Sequence, residues 1–255
     1  LADYPEPQQI LEYDLLKLRP FLPGAVMHNG GRKAAFYDPL RVPGKLVPLL
    51  WSPFGTLADK WKLYTLRQQL RRHSVEAIFQ REERSAREAL EQYGFSKSII
   101  NGFFRPFLGG VFFDPELETS RRMLDFTYKM FNGGMTAVPE QGMQAIPEQL
   151  ETKLTEGTVL YGKTVTAVKE GEVVLADGET FSARKILLAT EPAAFPDWHP
   201  DFASHYRSSA TFYFSADEVP DPEPILHLNA RSGEWINNLA VMSNVSKAYA
   251  PEGKS

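Results

Sequence analysis

The spacing of apolar residues changes along the chain and divides it into a helical first half and a strand-rich second half. In the first half, apolar residues recur every three or four positions, which is typical of amphipathic helices. This pattern predicts helices over 5–16, 57–73, 74–79, 85–93, 96–108, 119–131 and 143–154, the last one starting near Ala145 because of Pro147. Ser85 with Glu88 matches a capping box at a helix start, and Gly94 matches a helix end.

Strand-like sequence flanks the turn residues Asn29-Gly30-Gly31. Residues 25–37 are therefore predicted to form a β-hairpin in which Asn-Gly supplies the positive φ angles. Farther along, short apolar runs are separated by turn residues at Gly171 and Asp177-Gly178. They predict a meander of short strands at 158–161, 164–168, 172–175 and 180–181.

The remaining apolar runs predict more sheet. Residues 186–189 form a nearly continuous run, which is typical of a strand covered on both faces of a parallel sheet. Residues 208–214, 225–229 and 235–242 predict longer strands of an antiparallel sheet. Because helices, a meander, a buried strand and further sheet follow one another, we expect an α+β or interleaved α/β fold and not a regular βαβ series.

The composition excludes several classes of function. The 255 residues carry 28 basic and 32 acidic side chains, and a net charge of -4 gives no reason to expect a nucleic-acid partner. The chain has no cysteine, which excludes disulfides, thiolate metal sites and cysteine nucleophiles and fits a cytoplasmic location. No apolar run approaches the roughly 18 residues that span a bilayer. No metal site is expected because the histidines lack ligand spacing; they are His28, His73, His199, His205 and His227.

Residues 157–164, Gly-Thr-Val-Leu-Tyr-Gly-Lys-Thr, match the spacing of a phosphate-binding P-loop. A P-loop follows a strand and leads into a helix whose amides face the phosphate. Here a predicted helix precedes Gly157 and a predicted strand follows Lys163. The sequence therefore predicts a turn between strands, and no other catalytic signature such as Gly-x-Ser-x-Gly or Gly-x-Gly-x-x-Gly is present.

Residues 103–114 contain five phenylalanines and a leucine, which is more than one helix face needs. One hypothesis is that Phe103, Phe104, Phe107 and Phe112 form a wall of a deep apolar cavity for a large hydrophobic substrate. The alternative is a core helix that is packed on all sides. The sequence leaves both interpretations open.

The helix predicted at 57–73 is locally basic, because five lysines and arginines accompany one acidic residue, Asp59. Trp61 and Tyr64 are expected on its apolar side. Such a helix can lie on an anionic membrane surface, so peripheral membrane contact through 57–73 is one hypothesis. The alternative is an ordinary solvated face above an inward apolar stripe.

Residues 182–190 lead from the polar meander into the apolar run, which ends at Ala189-Thr190 just before Pro192. This arrangement is typical of flavoproteins with two dinucleotide-binding folds, in which small residues let the backbone pass close to the cofactor. An ordinary sheet strand is the alternative interpretation of this segment alone.

Several further segments carry a family likeness. In chain order they are Tyr4-Pro5-Glu6, residues 14–21, Pro23-Gly24-Ala25, Asp38-Pro39-Leu40, residues 52–60, Gly94-Phe95-Ser96, residues 104–112, residues 116–120, Met123, residues 139–147, residues 189–192 and Ala250-Pro251-Glu252-Gly253. Together they resemble the flavin-containing amine oxidoreductase superfamily, in the branch near phytoene-desaturase-like and protoporphyrinogen-oxidase-like proteins. The likeness covers essentially the whole chain.

The resemblance implies a split FAD-binding domain. In the family, the glycine-rich βαβ unit that holds the pyrophosphate lies upstream of the matching region, and a second flavin-contacting segment lies downstream. Since the chain starts at Leu1 without a methionine and ends in a turn-like segment, we expect both ends to be internal points of a longer protein. The implied domains are a helix-rich substrate-binding part at 1–140, a partial FAD-binding (two-dinucleotide-fold) domain at 141–192 and an antiparallel sheet of the substrate domain at 193–255.

The resemblance also implies which residues approach the FAD. The backbone at Val165 looks like the position that meets the adenine, and Ala189-Thr190 looks like the turn beside the adenosine. Gly142 and Met143 match a motif written Pro-x-Gly-Gly-Met near the substrate and the flavin, although Gln141 replaces the first glycine of its pair. No catalytic side chain is assigned.

The implied chemistry is hydride removal from a large hydrophobic substrate (a polyene, a porphyrinogen or an amine) to FAD, followed by reoxidation by oxygen, a quinone or another acceptor. Because the cofactor carries this chemistry, no acid–base pair is needed in the chain. The 255 residues alone are expected to bind FAD poorly and to be inactive, since they lack the glycine-rich loop. A non-catalytic binding module for an apolar ligand is the alternative function.

Overall fold

The computed structural model describes residues 2, 4–45, 53, 55–195, 206–231 and 233–255. The chain divides into two compact units, a larger one of Leu1–Leu150 with Ser209–Ser255 and a smaller one of Glu151–Ser208. Several residues used in the sequence predictions lie outside the described residues; they are Leu1, Ser52, Phe54, His199 and His205.

Most helices of the described residues lie in the first 150 residues, near the places that the apolar periodicity predicts, and one short helix at 242–245 is not predicted. The helices are α1 Pro5–Ile10, α2 Tyr13–Leu16, α3 Leu57–Arg71, α4 Val75–Phe79, α5 Ala86–Gln92, α6 Lys97–Ile99, a π-helical turn at Ile100–Phe104, α7 Arg105–Phe112, α8 Arg121–Gly133, α9 Ala145–Glu151 and α10 Met242–Val245. Short 3-10 turns lie at Pro43–Lys45, Pro192–Ala194 and Lys247–Tyr249.

Side-chain caps set several helix starts. Ser85 and Glu88 form the predicted capping box of α5, and Thr56 and Asp59 form another one at the start of α3. The side chain of Ser96 accepts a hydrogen bond from the Ile99 amide at the start of α6. Polar residues in the sequence thus fix where these helices begin.

Two predicted helices are interrupted. The helix predicted over 5–16 breaks at Glu12, where the side-chain amide of Gln149 donates to the Glu12 carbonyl and accepts from the Glu12 amide, at 3.0 and 2.9 Å. The Gln149 side chain thus takes the place of the carbonyl to which the Glu12 amide would donate in a continuous helix, while the Glu12 carbonyl still accepts from the Leu16 amide at 3.2 Å. The helix predicted over 96–108 runs on to Phe112, and its π-helical turn ends at Phe104, two positions before Pro106, which has no N–H to donate.

One hydrophobic cluster forms the core of the helical part. Its buried members come from α3 to α8 and the connections between them: Leu63, Leu66, Leu70, Ile78, Ala86, Ala89, Leu90, Phe95, Ile99, Ile100, Phe104, Leu108, Leu117, Leu124 and Tyr128. The inward faces of α3 to α8 therefore consist largely of apolar residues.

The strands form three sheets. They are β1 Arg19–Pro20, β2 Gly24–Asn29, β3 Arg32–Tyr37, β4 Ala137–Val138, β5 Val165–Lys169, β6 Glu172–Leu175, β7 Thr180–Ser182, β8 Leu226–Asn229 and β9 Asn238–Ala240. The sheet orders are β1-β4, β3-β2-β8-β9 and β5-β6-β7. The first two sheets belong to the larger unit and the third belongs to the smaller one.

The four-stranded sheet confirms the predicted hairpin and corrects the predicted sheet type. Asn29 pairs with Arg32, so the turn consists of Gly30 and Gly31, at φ of 57° and 84°, and not of Asn-Gly. The sheet is mixed rather than antiparallel, because β2 pairs in parallel with β8. This pairing joins residues about 200 positions apart, which no local pattern can reveal.

The two faces of this sheet differ. On one face, Ala25, Met27 and Leu228 are buried against the phenylalanines of the following helices. On the other face, Val26 is buried in a small cluster with Tyr37 and Ile225. The middle of the sheet is therefore covered on both sides.

The smaller unit contains the predicted meander. The observed strands β5, β6 and β7 pair in sequence order and antiparallel, as the turn residues Gly171 and Asp177-Gly178 predict. The strand predicted at 158–161 is wrong: these residues form turns and bends and do not pair with the edge strand β5 of the three-stranded sheet.

Two other strand predictions are also wrong. Residues 186–189 have no regular secondary structure, and Leu187 is 90% exposed. Residues 208–214 are likewise irregular and exposed. A strand needs a neighbour that completes its hydrogen-bond ladder, and within the described residues neither segment has one.

Candidate functional site

The turn at Gly142 and Met143 has the backbone geometry expected of a close-approach position. Gly142 has a φ of 105°, and a Cβ atom added there would meet no atom within 4 Å among the described residues. Met143 beside it is largely exposed. A positive φ and open space together let another molecule approach the backbone of Gly142.

Three backbone contacts hold the start of this turn in place. The Glu140 amide donates to the Leu16 carbonyl at 3.2 Å, and the Glu140 carbonyl accepts from the Ser246 hydroxyl at 2.9 Å. The Tyr249 hydroxyl donates to the Pro139 carbonyl at 3.1 Å. Residues from both ends of the larger unit thus fix the backbone that leads to Gly142.

The side chain of Glu140 is held as well. It accepts hydrogen bonds from Arg19, and Lys17 lies 3.7 Å away. The hydrogen bond from Arg19 lowers the pKa of the Glu140 carboxyl, with the charge of Lys17 acting in the same direction. Glu140 therefore stays ionised and serves to position the turn.

The other predicted FAD contacts lie in the smaller unit. Val165 opens β5 and pairs with Leu175 of β6, and its side chain is 38% exposed. Ala189 and Thr190 are exposed in the irregular segment that follows β7. The sheet thus fixes the backbone position of Val165, whereas Ala189 and Thr190 belong to no sheet. The remaining two predicted contacts, Gly142 and Met143, belong to the larger unit.

The predicted cavity wall is tightly packed. Phe104 is completely buried in the helical core, and its ring centroid lies 5.0 Å from that of Phe95. Phe103 stacks on Phe36 at 4.7 Å and on Phe107 at 5.7 Å, and Phe107 and Phe112 also pack against the core. The phenylalanines fill the space between the helices and the mixed sheet, and their role toward a substrate stays a prediction.

The P-loop match is not a phosphate site. Lys163 is followed by the strand β5, as the sequence predicts, and not by a helix. Its ammonium group lies 3.0 Å from Oδ2 of Asp177 and 2.6 Å from Oε2 of Glu179. Two carboxylates next to this lysine would repel a phosphate.

A pair of histidines, which the sequence does not predict to be in contact, lies on the mixed sheet. Nε2 of His28 and Nδ1 of His227 are 3.0 Å apart, because β2 and β8 are neighbours. Oδ2 of Asp221 lies 3.9 Å from Nε2 of His227, and Lys33 pairs with Asp221. The two histidines are 199 residues apart in the sequence, so no local pattern shows that their rings meet. Strand periodicity places each histidine on a strand, but it does not indicate which strands become neighbours.

Burial controls the charge of this cluster. Burial lowers the pKa of His227, as do the charges of His28 and Lys33, while Asp221 opposes them. Burial and the hydrogen bond to Glu223 raise the pKa of the neighbouring Tyr37 to about 12. His227 is therefore neutral near pH 7. Among the described residues, no group of histidines and carboxylates is arranged to hold a metal ion.

The chain is similar to known proteins over most of its length. The sequence profile of a family described as flavin containing amine oxidoreductase matches residues 7–255. A search of curated protein sequences finds no match.

Two solved structures are similar in fold. One is that of reduced UDP-galactopyranose mutase, with 12% identity, a TM-score of 0.50, and coverage of 93% of this chain and 56% of that one. The other is that of the PF1083 protein from Pyrococcus furiosus, with 15% identity, a TM-score of 0.58, and coverage of 93% and 58%. The chain thus spans little more than half the length of these structures, and at such identities the likeness concerns the fold alone.

Proposed function

Because the chain belongs to the flavin-containing amine oxidoreductase family, we propose that it forms the substrate-binding part and the central FAD-domain segment of an FAD-dependent oxidoreductase. The substrate class that we propose is a large hydrophobic molecule such as a polyene, a porphyrinogen or an amine. The observation that carries this proposal is that the family match extends over residues 7–255, nearly the whole chain.

The turn at Gly142 and Met143 supports a contact with the flavin. FAD brings the ability to accept a hydride, so the chain needs to bind, orient and exclude water and does not need a nucleophile. The open side of Gly142 leaves room for a planar ring against the backbone. The hydrogen bonds around Glu140 hold that backbone still, which favours a fixed distance between cofactor and substrate.

The apolar run at 186–189 supports the proposed FAD-domain segment. The exposed side chain of Leu187, two positions before Ala189, is costly in water but suits a strand that further sheet covers. We propose that this run pairs with strands of the FAD domain in the complete gene product, and that Ala189 and Thr190 then pass beside the adenosine.

The test is to measure FAD binding by the 255-residue chain and by the complete gene product, using the quenching of flavin fluorescence. The complete product should retain FAD through gel filtration, and the 255-residue chain should bind it at least about 100-fold more weakly, because its sequence has no glycine-rich pyrophosphate loop. Equal affinities would contradict the proposed division of the cofactor site.

A pair of matched variants tests the residue assignment. Val165 and Val159 are both 38% exposed valines of the smaller unit, but only Val165 is proposed to meet the adenine. In the complete gene product, Val165→Glu should weaken FAD binding about tenfold by placing a charge and extra volume at the contact, and Val159→Glu should not. Equal effects of the two substitutions would refute the assignment of Val165.

The second candidate function is a binding module for an apolar ligand without catalysis. Phe36, Phe103 and Phe107 form a continuous aromatic stack on the sheet. A complete gene product that binds a polyene or a porphyrinogen but retains no flavin would favour this alternative, whereas bleaching of bound flavin by such a compound under anaerobic conditions would favour the oxidoreductase.

A further inference from the structure

Helix α3 has two apolar stripes, and only one of them is buried. Leu63, Leu66 and Leu70 point into the helical core. Leu57 and Trp61 are each 66% exposed, and Tyr64 is 41% exposed. Trp61 and Tyr64, which the sequence places on the apolar side of the helix, thus lie on a stripe that stays exposed.

The exposed residues share one side of the helix. Leu57, Trp61 and Tyr64 are separated by four and three positions, which places them one above the other on the helix surface. The rings of Trp61 and Tyr64 lie 5.5 Å apart. We call Leu57, Trp61 and Tyr64 the outer stripe.

Buried polar contacts fix the rotation of α3 and so the direction of the outer stripe. Asp59 is buried and accepts hydrogen bonds from the Ser96 amide and hydroxyl at 2.8 and 2.7 Å. Arg67 lies 2.8 Å from Asp38. The Tyr128 hydroxyl donates to the Leu63 carbonyl at 3.2 Å. Turning the outer stripe inward would break all of these contacts, so its exposure is a stable property of the fold.

The charges that face outward on this helix are positive. Asp59, the single acidic residue within 57–73, is buried under Ser96. Arg67 is paired with Asp38, and the ammonium of Lys62 bonds to the Gly94 carbonyl. Arg71 and Arg72 are exposed at the end of the helix, where Tyr64 and Arg72 border an open groove of about 530 Å³. An apolar stripe next to two exposed cations is complementary to an anionic, amphipathic surface.

We propose that the outer stripe, together with Arg71 and Arg72, is a contact site for the surface of an anionic lipid bilayer. Tryptophan and tyrosine favour the headgroup level of a bilayer, where the ring is in an apolar layer and its N–H or O–H stays wet. Helix α3 would lie parallel to the membrane plane. The contact is peripheral, since no helix in the described part of the chain has the length and apolarity that crossing a membrane requires.

The size of the outer stripe argues against a protein partner. A stable protein interface buries about 800 Å² on each partner. Three partly exposed side chains provide well below that area, because even fully buried aromatic residues contribute about 150–250 Å² each. A lipid surface needs no shape complementarity and is not limited in this way.

The experiment is co-sedimentation of the complete gene product with vesicles of phosphatidylcholine containing about 30% phosphatidylserine, compared with vesicles of phosphatidylcholine alone. The double variant Trp61→Ser/Tyr64→Ser should lower the affinity for the anionic vesicles at least about tenfold. Arg71→Gln/Arg72→Gln should lower it about tenfold or more and remove most of its salt dependence.

Two matched controls use the same residue types elsewhere. Trp235 and Tyr213 are even more exposed than Trp61 and Tyr64, so Trp235→Ser/Tyr213→Ser removes the same aromatic groups from another surface. Arg184→Gln/Lys185→Gln removes two adjacent exposed cations. Both controls should bind vesicles within about twofold of the unchanged protein. Because all substituted side chains are exposed, circular dichroism should show that each variant folds.

Three results would overturn the proposal. They are absence of binding to the anionic vesicles at low salt, an equal loss of binding in the controls, and a concentration-dependent dimer that only the Trp61→Ser/Tyr64→Ser variant abolishes. The last result would assign the outer stripe to a second copy of the chain.

Discussion

The two compact units bury apolar surface to very different extents. The larger unit contains a continuous cluster of buried residues from α3 to α8 and a sheet that is covered on both faces in its middle. Among the described residues of the smaller unit, only Leu175 is buried, whereas Leu160, Tyr161 and Leu187 are exposed. The larger unit therefore has an internal source of stability that the smaller unit lacks.

The polar contacts show the same difference. In the larger unit, Asp125 is completely buried, and Arg81 and the Tyr93 hydroxyl donate to its carboxylate. In the smaller unit, Lys163 pairs with carboxylates at the surface. A unit with few buried contacts and exposed apolar side chains can bury these side chains against another protein surface. This property agrees with the proposed role of the smaller unit as a segment of an FAD domain.

The largest expected loss of stability comes from a substitution that leaves a cavity in the core of the larger unit. Phe104→Ala should lower the free energy of unfolding by about 4 kcal/mol, because the ring is completely buried and leaves a cavity. Urea denaturation followed by near-ultraviolet circular dichroism measures this loss. Phe181→Ala in the smaller unit, where the ring is 38% exposed, should cost less than about 1 kcal/mol. Similar losses of unfolding free energy in both variants would contradict the difference in buried apolar surface between the two units.

A somewhat smaller effect is expected from the buried carboxylate. Asp125→Ala should lower the free energy of unfolding by about 3 kcal/mol, because Arg81 and Arg121 keep their charges beside the emptied site. Asp177→Ala breaks the surface pair with Lys163 and should cost less than about 1 kcal/mol. The same denaturation assay compares the two, and a larger loss for Asp177→Ala would contradict the comparison.

Acid should lower the free energy of unfolding of the larger unit, because it protonates the carboxylate of Asp59. Burial alone would raise the pKa of its carboxyl, but the hydrogen bonds from Ser96 and Thr56 outweigh it and lower the pKa to about 2. Since the folded pKa is below the unfolded value of about 3.9, the contribution of this group is present above pH 4 and is lost as the pH falls toward 2.

This contribution amounts to about 2 kcal/mol. It is measured as the change in the free energy of unfolding between pH 5 and pH 2, and the Asp59→Asn variant should show a change that is smaller by this amount. An identical acid dependence in the variant would mean that the hydrogen bonds from Ser96 and Thr56 do not favour the ionised form.

The smallest effect on stability is expected at the exposed apolar run. Leu187→Ser should change the free energy of unfolding of the 255-residue chain by less than about 0.5 kcal/mol, because the side chain is 90% exposed. In the complete gene product, the same substitution should weaken FAD retention if further sheet covers this run, as proposed. No change in flavin content per chain would contradict that part of the proposal.

Local sequence signals predicted much of the fold. The helices of the larger unit, the capping box at Ser85, the hairpin at 25–37 and the meander β5-β6-β7 all follow from short-range periodicity and turn residues. Such elements form from contacts between residues that are close in the sequence, so their patterns are visible there. The family likeness could be recognised for the same reason, from short segments in a fixed order.

Long-range contacts decided what local patterns could not. The parallel pairing of β2 with β8 and the contact between His28 and His227 depend on which distant strands become neighbours. The run at 186–189 has the composition of a buried strand, but strand structure requires a partner that the run itself does not encode.

For this protein, the sequence by itself determined where most helices, the hairpin β2-β3 and the meander β5-β6-β7 form, and to which family the chain belongs. Only the tertiary structure decided which face of each element is buried. In helix α3, the leucines and the aromatic residues both form apolar stripes, and the contacts of Asp59, Arg67 and Tyr128 turn the leucines inward and leave Trp61 and Tyr64 outside. Periodicity defines a stripe, but the partners on the neighbouring helices select the stripe that becomes core.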